Sequence, residues 1–127
     1  MTQEDKELLI KDLRARLDTN LVCSIYRTDD EGVGYRDEIL HGYCKGDIWY
    51  EFYFREDCSI SIDNVSKIKP YLFPLSSITK KRLEELSEYI DIKNAYVAVE
   101  LLNSHHIDYR GLIEKGLAID ATGLDIY

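Results

Sequence analysis

The chain has 127 residues, 45% of them hydrophobic and 31% charged, which is the length and composition of one globular domain and excludes a disordered chain. Acidic residues outnumber basic ones 24 to 16, and the formal charge of -8 argues against direct binding of nucleic acid, because phosphate contacts need Lys and Arg. No apolar run approaches the roughly 18 residues of a membrane span, and residues 1–12 lack the apolar core of a signal peptide, so we expect a single soluble, cytoplasmic domain over 1–127 with no membrane partner.

The first predicted element is an amphipathic helix over residues 2–17. Its apolar stripe is made of leucines that recur at every fourth position: Leu9, Leu13 and Leu17. Thr2 is a suitable N-cap for this helix, and Asp5 three positions later gives a weaker form of the capping box.

Residues 20–62 change to the two-residue period of β-strands, and short polar turns separate the segments. Short turns between successive strands are typical of an antiparallel meander. Gly42, inside the second segment, predicts a bulge or a bend. Two arrangements stay open: four or five short, bent strands that close into a small SH3-like barrel, or a flat meander covered on one face by helices.

Residues 63–78 are predicted to be an irregular connector. Pro70 and Pro74 bias the residues before them toward an extended backbone, so part of the connector is expected to run extended across the domain. Two helices are predicted after the connector, over residues 79–90 and 94–105. A tail of turns is predicted over residues 107–127. The predicted fold is therefore α+β, with an N-terminal helix, a four- to five-stranded antiparallel bent sheet and two C-terminal helices.

Neither the cysteines nor any sequence motif indicates a disulfide framework, a metal site or a catalytic site. The three cysteines, Cys23, Cys44 and Cys58, are odd in number and have neither the spacing of a disulfide framework nor that of a zinc site. We expect buried thiols in a reducing compartment. The sequence contains no phosphate-binding glycine loop and no nucleophile motif, so we predict no catalytic residue, no metal and no cofactor.

The only paired histidines belong to a polar motif near the C-terminus. We interpret His105, His106, Asp108, Tyr109 and Arg110 as a structural latch that ties the C-terminal helix to the sheet. A surface motif that binds a partner is the alternative. A metal-dependent hydrolase built on the histidines and the aspartate is the weakest hypothesis, because a metal site needs three or four convergent ligands.

Aromatic residues are concentrated in the predicted sheet. We predict that Tyr26, Trp49 and Tyr53 form an exposed patch that binds another protein, since interface cores favour aromatic residues. The alternative function is that of an acidic protein that mimics nucleic acid and occupies the basic site of a DNA-binding protein. The sequence leaves the identity of the partner and the oligomeric state open.

Three segments of the chain resemble a known family. They are residues 1–13 (MTQEDKELLIKDL), 68–79 (IKPYLFPLSSIT) and 102–113 (LNSHHIDYRGLI). Together they are similar to a family of small uncharacterised proteins from gut anaerobic bacteria and their prophages, in which Phe73 is more often Arg and Ser104 more often Ala. The resemblance implies a bacterial or phage-encoded intracellular protein. It transfers no catalytic residue, because the family has no established activity.

Overall fold

The computed structural model describes residues 1–29, 32–46, 50–55, 58–78, 84 and 95–127. The described helices include α1 (Gln3–Ala15) and α2 (Ala95–Ser104), together with short 3-10 helices at Ile62–Lys67 and Leu75–Ser77. The strands are β1 (Val22–Asp29), β2 (Gly32–Lys45), β3 (Tyr50–Phe54), β4 (Cys58–Ser61), β5 (Ile68–Pro74), β6 (Ile107–Asp108) and β7 (Ile119–Asp120). The described helices are all too short or too polar to cross a membrane.

The strands form one seven-stranded sheet of mixed direction, in the order β4-β3-β2-β1-β5-β6, with β7 also paired to β5. Successive strands from β1 to β4 are antiparallel, and β5 is antiparallel to β1. Both β6 and β7 run parallel to β5. The chain thus has the predicted α+β class, but the prediction of a four- to five-stranded antiparallel sheet was wrong.

The additional strands come from segments that were predicted to be irregular. The extended part of the predicted connector is β5, which lies inside the sheet, and the predicted tail supplies β6 and β7. These last two strands contain only two residues each, too few to show a two-residue period. Among the described strands no pairing of β4 with β6 closes a barrel.

The prediction of two C-terminal helices was also wrong, because the structure describes one small helix, α2, near the C-terminus. Most of the predicted range 79–90 lies outside the described residues. α2 ends at Ser104 because His106 adopts a left-handed conformation with φ of 60°, which an α-helix cannot continue. The amides of His105 and His106 close the last turn on the carbonyl oxygens of Leu101 and Asn103.

α1 begins where its capping residues predict. The Thr2 hydroxyl accepts a hydrogen bond from the Asp5 amide at 3.1 Å, and the Thr2 amide donates to the Asp5 carboxylate at 3.4 Å. This confirms the capping box. Such a cap stabilises a helix by about 0.5–2 kcal/mol, so it fixes the start of α1 without long-range contacts.

The hydrophobic core lies against one face of the sheet. α1 contributes the fully buried Leu9 and Leu13, and the C-terminal segment adds Leu112 and Leu117 to the same cluster. The sheet contributes residues that alternate along its strands, including Cys23, Ile25, Leu40, Phe52, Phe54, Ile60, Ile68 and Leu72. A bulge between Leu40 and Gly42, where a bulge or bend was predicted, lets β2 keep its apolar side chains on this face.

All three cysteines are free thiols. Cys23 and Cys58 are buried, as expected, and burial raises the pKa of the Cys23 thiol well above its ordinary value. The expectation of a buried thiol was wrong for Cys44, which is exposed. Cys44 pairs with Glu51 on β3, so it shares with Glu51 the sheet face that lies opposite the core. We call this second face of the sheet the outer face.

Candidate functional site

The hairpin formed by β1 and β2 extends beyond the rest of the sheet. β5 pairs with β1 only as far as Ile25, and β3 pairs with β2 only from Leu40 onward. Four further residue pairs, from Tyr26 with Tyr35 to Asp29 with Gly32, therefore form a two-stranded projection. We call residues 26–29 and 32–35 the hairpin arm.

Apolar side chains lie exposed on this hairpin arm. Val33 and Tyr35 are each 71% exposed, and both alternate onto the outer face of the sheet. The rings of Tyr26 and Tyr35 pair across the two strands, with centroids 5.1 Å apart and planes tilted by 59°. This cross-strand contact holds Tyr35 in place while leaving most of its surface open to solvent.

Glycine at position 34 suits the backbone of the hairpin arm. Gly34 has φ of +156°, a conformation that residues with a Cβ rarely adopt. A Cβ placed there would meet no atom within 4 Å. The glycine is therefore favoured by its backbone conformation and not by a lack of space. The space beside Gly34 is consequently open to another chain.

Both long edges of the hairpin arm lack a neighbouring strand within the part of the chain that the structure describes. An unpaired strand edge presents a row of backbone N–H and C=O groups that can pair with another chain. A two-stranded ribbon is also marginally stable by itself. The hairpin arm therefore combines strand edges that no described strand covers with exposed apolar side chains, as a binding surface would.

The structure separates the residues of the predicted aromatic patch. Tyr26 lies in the hairpin arm, and Tyr53 lies on β3 with its side chain also on the outer face. Tyr26 pairs with Tyr35 of β2, and Tyr53 pairs with Gly42 of β2. Tyr35 and Gly42 are seven residues apart along this strand, which separates the two tyrosines by about 20 Å. Tyr26 and Tyr53 therefore do not form one patch, and Trp49 lies outside the described residues.

Tyr53 makes its contacts within its own part of the sheet. Its hydroxyl donates a hydrogen bond to the Glu51 carboxylate at 3.0 Å. Hydrogen bonds of the Tyr53 hydroxyl to the Cys44 side chain and to the Glu51 carboxylate raise the pKa of Tyr53 above its ordinary value, because they stabilise the protonated hydroxyl. Tyr53 is thus bonded within its own part of the sheet. The hairpin arm exposes two large apolar side chains, Val33 and Tyr35, which were not predicted.

We call residues 105–110 the histidine motif. Its Asp108 carboxylate is hydrogen-bonded to backbone amides. One of its carboxylate oxygens accepts a hydrogen bond from the Leu112 amide at 3.0 Å, and the other accepts from the Ile113 amide at 2.9 Å. The residue is buried. A carboxylate with both oxygens bonded to backbone amides of the following residues orders the turn that follows.

The two histidines have different surroundings. His105 is exposed, whereas the buried ring of His106 stacks on Tyr127 with centroids 3.8 Å apart. Burial, with a smaller effect from the Arg16 charge, lowers the pKa of His106 to about 4. Among the described residues no group of three or more His, Cys, Asp or Glu side chains could hold a metal ion.

Tyr109 and Arg110 join a network beneath α1. Arg16 is fully buried, and its guanidinium donates to the Asp12 carboxylate at 2.9 and 3.2 Å and to the Ile107 carbonyl oxygen at 2.6 Å. Arg110 Nε donates to the same carboxylate at 3.3 Å. The Tyr109 hydroxyl donates to Asn103 at 2.8 Å and accepts from Arg110 at 3.1 Å. We call Asp12, Arg16, Asn103, Tyr109 and Arg110 the polar cluster.

Asp12 and Arg16 were not predicted as site residues, although their positions in the sequence indicate a buried ion pair. Leu9 and Leu13 mark the apolar stripe of α1, and Asp12 and Arg16 follow these leucines by three residues each, so they lie on the same side of the helix. Two opposite charges inside an apolar stripe indicate a buried ion pair, because an unpaired charge there would be too costly.

Comparison of the chain with family models, with curated proteins and with solved structures finds no match. The resemblance to small proteins of gut anaerobic bacteria therefore stays a prediction. The carboxylates of Asp12 and Asp108 and the Tyr109 hydroxyl are hydrogen-bonded within the chain, whereas Arg16 Nη1 and His106 Nδ1 are buried without a partner among the described residues. The hairpin arm, by contrast, is a described region whose side chains and strand edges are open to a partner.

Proposed function

We propose that the protein is a binding module that docks an extended segment of a partner protein on its hairpin arm. In this proposal the partner segment pairs with one edge of the arm, and Tyr26, Val33 and Tyr35 supply the side-chain contacts. The observation that carries it is the exposure of Val33 and Tyr35, each 71%, on a strand that has no neighbour on one side in the described part of the chain.

Strand addition to a free edge is a recurrent mode of peptide recognition, in which main-chain hydrogen bonds give affinity and alternate side chains give specificity. Tyrosine suits such a surface because it buries a large area and loses little side-chain entropy. The contact between Tyr26 and Tyr35 supports the proposal further, because a ring held before binding reduces the entropic cost of association.

The charge of the protein supports a particular kind of partner. With a formal charge of -8, the protein attracts a segment rich in Lys and Arg and speeds its approach. The resemblance to proteins of gut anaerobic bacteria and their prophages supports, as part of the same proposal, a bacterial or phage-encoded protein that acts in the cytoplasm.

Site-specific photo-crosslinking in cells tests this function. A photoreactive phenylalanine analogue is placed at Tyr35 and, in a matched control, at Leu124, which is 46% exposed and lies outside the hairpin arm. We expect a discrete adduct with one partner from position 35 and no such adduct from position 124.

The partner identified in this way is then used in a binding measurement. Val33→Ser and Tyr35→Ser should each weaken its affinity about tenfold or more, the effect typical of a central interface residue. Leu124→Ser should bind as the wild type does. If positions 35 and 124 capture the same proteins, or if the serine variants bind normally, the hairpin arm is not the binding surface.

A further inference from the structure

A pocket of ≈ 570 Å³ lies between the outward side of α1 and the sheet, away from the hairpin arm. It is a shallow depression that is more open to solvent than enclosed. Its lining comes from α1 and the residues just after it, with one residue of β2: Glu7, Ile10, Lys11, Arg14, Ala15, Leu17 and Tyr43. Its volume falls within the range of about 300–1,000 Å³ that small-molecule sites occupy.

Two positive charges border the pocket. Lys11 and Arg14 are three residues apart on α1, so they lie on the same side of the helix. Neither forms an ion pair with a carboxylate of the described residues. In a chain with a formal charge of -8, two neighbouring cations that form no ion pair with a described carboxylate make a local positive site beside the pocket.

Among the described residues, the guanidinium of Arg14 contacts an aromatic ring and forms no ion pair with a carboxylate. It lies 4.8 Å from the centroid of the Tyr43 ring. Tyr43 in turn stacks on Tyr50, with centroids 5.4 Å apart, and contacts Phe52 at 4.8 Å. An arginine fixed by its face on an aromatic ring keeps its N–H edges free to donate to a carboxylate.

The remaining lining gives the pocket an apolar floor with one acidic residue. Ile10 and Leu17 are partly buried against the core cluster and expose hydrocarbon to the pocket. The Glu7 carboxylate accepts a hydrogen bond from Gln3 at 3.3 Å. A ligand with a second negative charge would be repelled by Glu7, so the lining matches one anionic group joined to a neutral, apolar body.

We propose that this pocket binds a small organic monocarboxylate with an apolar body. The carboxylate lies between the Lys11 ammonium group and the Arg14 guanidinium group, and the hydrocarbon lies on Ile10, Leu17 and the edge of Tyr43. Charge complementarity carries the choice of ligand, because neither cation forms an ion pair with a carboxylate in the part of the chain that the structure describes. This site is independent of the hairpin arm.

Titration with octanoate and with octanol tests the proposal, because the two probes share the same hydrocarbon length and differ in charge. Nuclear magnetic resonance of the intact chain follows the Ile10 and Leu17 methyl signals. We expect saturable shifts with octanoate. Octanol should bind at least about tenfold more weakly, since a hydrogen bond to a charged group contributes about 1.5–3 kcal/mol.

Matched variants separate this pocket from general surface attraction. Lys11→Gln combined with Arg14→Gln should weaken octanoate binding about tenfold or more. Lys67→Gln combined with Lys69→Gln removes the same charge outside the pocket and should leave the affinity unchanged. The residues changed in the first variant are exposed, so its melting temperature should stay that of the wild type.

Three results would each overturn the proposal: equal affinity for octanoate and octanol, equal loss in the two double variants, or no saturable shift with octanoate. Tyr35→Ser keeps the pocket intact and should bind octanoate normally. Failure of the pocket proposal is therefore distinguishable from failure of the proposed partner binding, which is measured at the hairpin arm.

Discussion

The hairpin arm and the polar cluster use the same types of residue in opposite ways. In the polar cluster, Asp12 is bonded to both Arg16 and Arg110, and the Tyr109 hydroxyl is bonded on two sides. In the hairpin arm, Tyr35 contacts one ring and is otherwise open to solvent. Residue type therefore does not mark the proposed binding surface. The distinguishing feature is how far the described part of the chain itself bonds and covers each side chain.

The largest expected effect comes from removing Asp12. Asp12→Ala leaves the buried Arg16 guanidinium without its counter-ion, and losing one partner of a buried pair costs about 3–5 kcal/mol in the free energy of unfolding. Urea unfolding measures this loss. Asp18→Ala, at an exposed aspartate, is the control and should change stability by less than about 0.5 kcal/mol.

A double variant tells a charge effect from a packing effect at the same site. Asp12→Leu combined with Arg16→Leu removes both charges together, so it should be more stable than Asp12→Ala alone. If Asp12→Ala costs no more than the control at Asp18, the polar cluster does not hold α1 to the C-terminal segment. The fold would then need the polar cluster no more than it needs the hairpin arm.

The next largest effect is expected at Tyr109. Its ring lies 5.3 Å from the Arg16 guanidinium carbon and 4.8 Å from that of Arg110, and its hydroxyl bonds Asn103. Because the ring is only partly buried, Tyr109→Ala should cost about 2–4 kcal/mol, somewhat less than a fully buried aromatic. Tyr109→Phe keeps the ring and should cost about 1 kcal/mol for the hydroxyl bonds. A melting temperature unchanged in Tyr109→Ala would contradict a structural role.

The pH dependence of stability gives a third test of the C-terminal segment. The pKa of His106 is about 4 in the folded chain, below its ordinary 6.5, so the unfolded chain takes up this proton first as the pH falls. The contribution of His106 to stability is thus complete above pH 6.5 and is lost between pH 6.5 and about 4, amounting to about 1–3 kcal/mol.

Comparison with a variant isolates this histidine from the carboxylates that titrate in the same range. His106→Phe keeps an aromatic ring against Tyr127 and removes the titrating group. The difference in the free energy of unfolding between wild type and variant should therefore change between pH 6.5 and about 4. His105→Gln should retain the pH dependence of the wild type. An identical pH profile for wild type and His106→Phe would show that His106 titrates normally.

The sequence predicted those elements whose causes are local. The N-terminal helix follows from leucine spacing and the Thr2 cap, and the meander from β1 to β4 follows from alternation and short turns. The parallel pairing of β6 and β7 with β5 could not be predicted in this way. Each short strand is held by residues more than 30 positions away, and two residues carry no period.

The candidate site shows the same division between local and long-range causes. Alternation placed Tyr26 on a strand, but the exposure of Val33 and Tyr35 depends on where β3 and β5 stop pairing. That is a property of the whole sheet. Asp12 and Arg16 could have been found from α1 alone, because both charges occupy the apolar side of the helix.

The smallest effect on stability is expected in the hairpin arm. Val33→Ser and Tyr35→Ser replace side chains that already contact water, so each should change the free energy of unfolding by less than about 0.5 kcal/mol. Tyr26→Ser should cost slightly more, about 0.5–1.5 kcal/mol, because it removes the ring pair. Urea unfolding checks all three. A loss of several kcal/mol in Tyr35→Ser would mean that the ring is covered within the folded chain, and Tyr35 would then belong with Tyr109 as a structural residue. Near-neutral stability together with lost partner binding is the result that separates a surface kept for a partner from one that the fold needs.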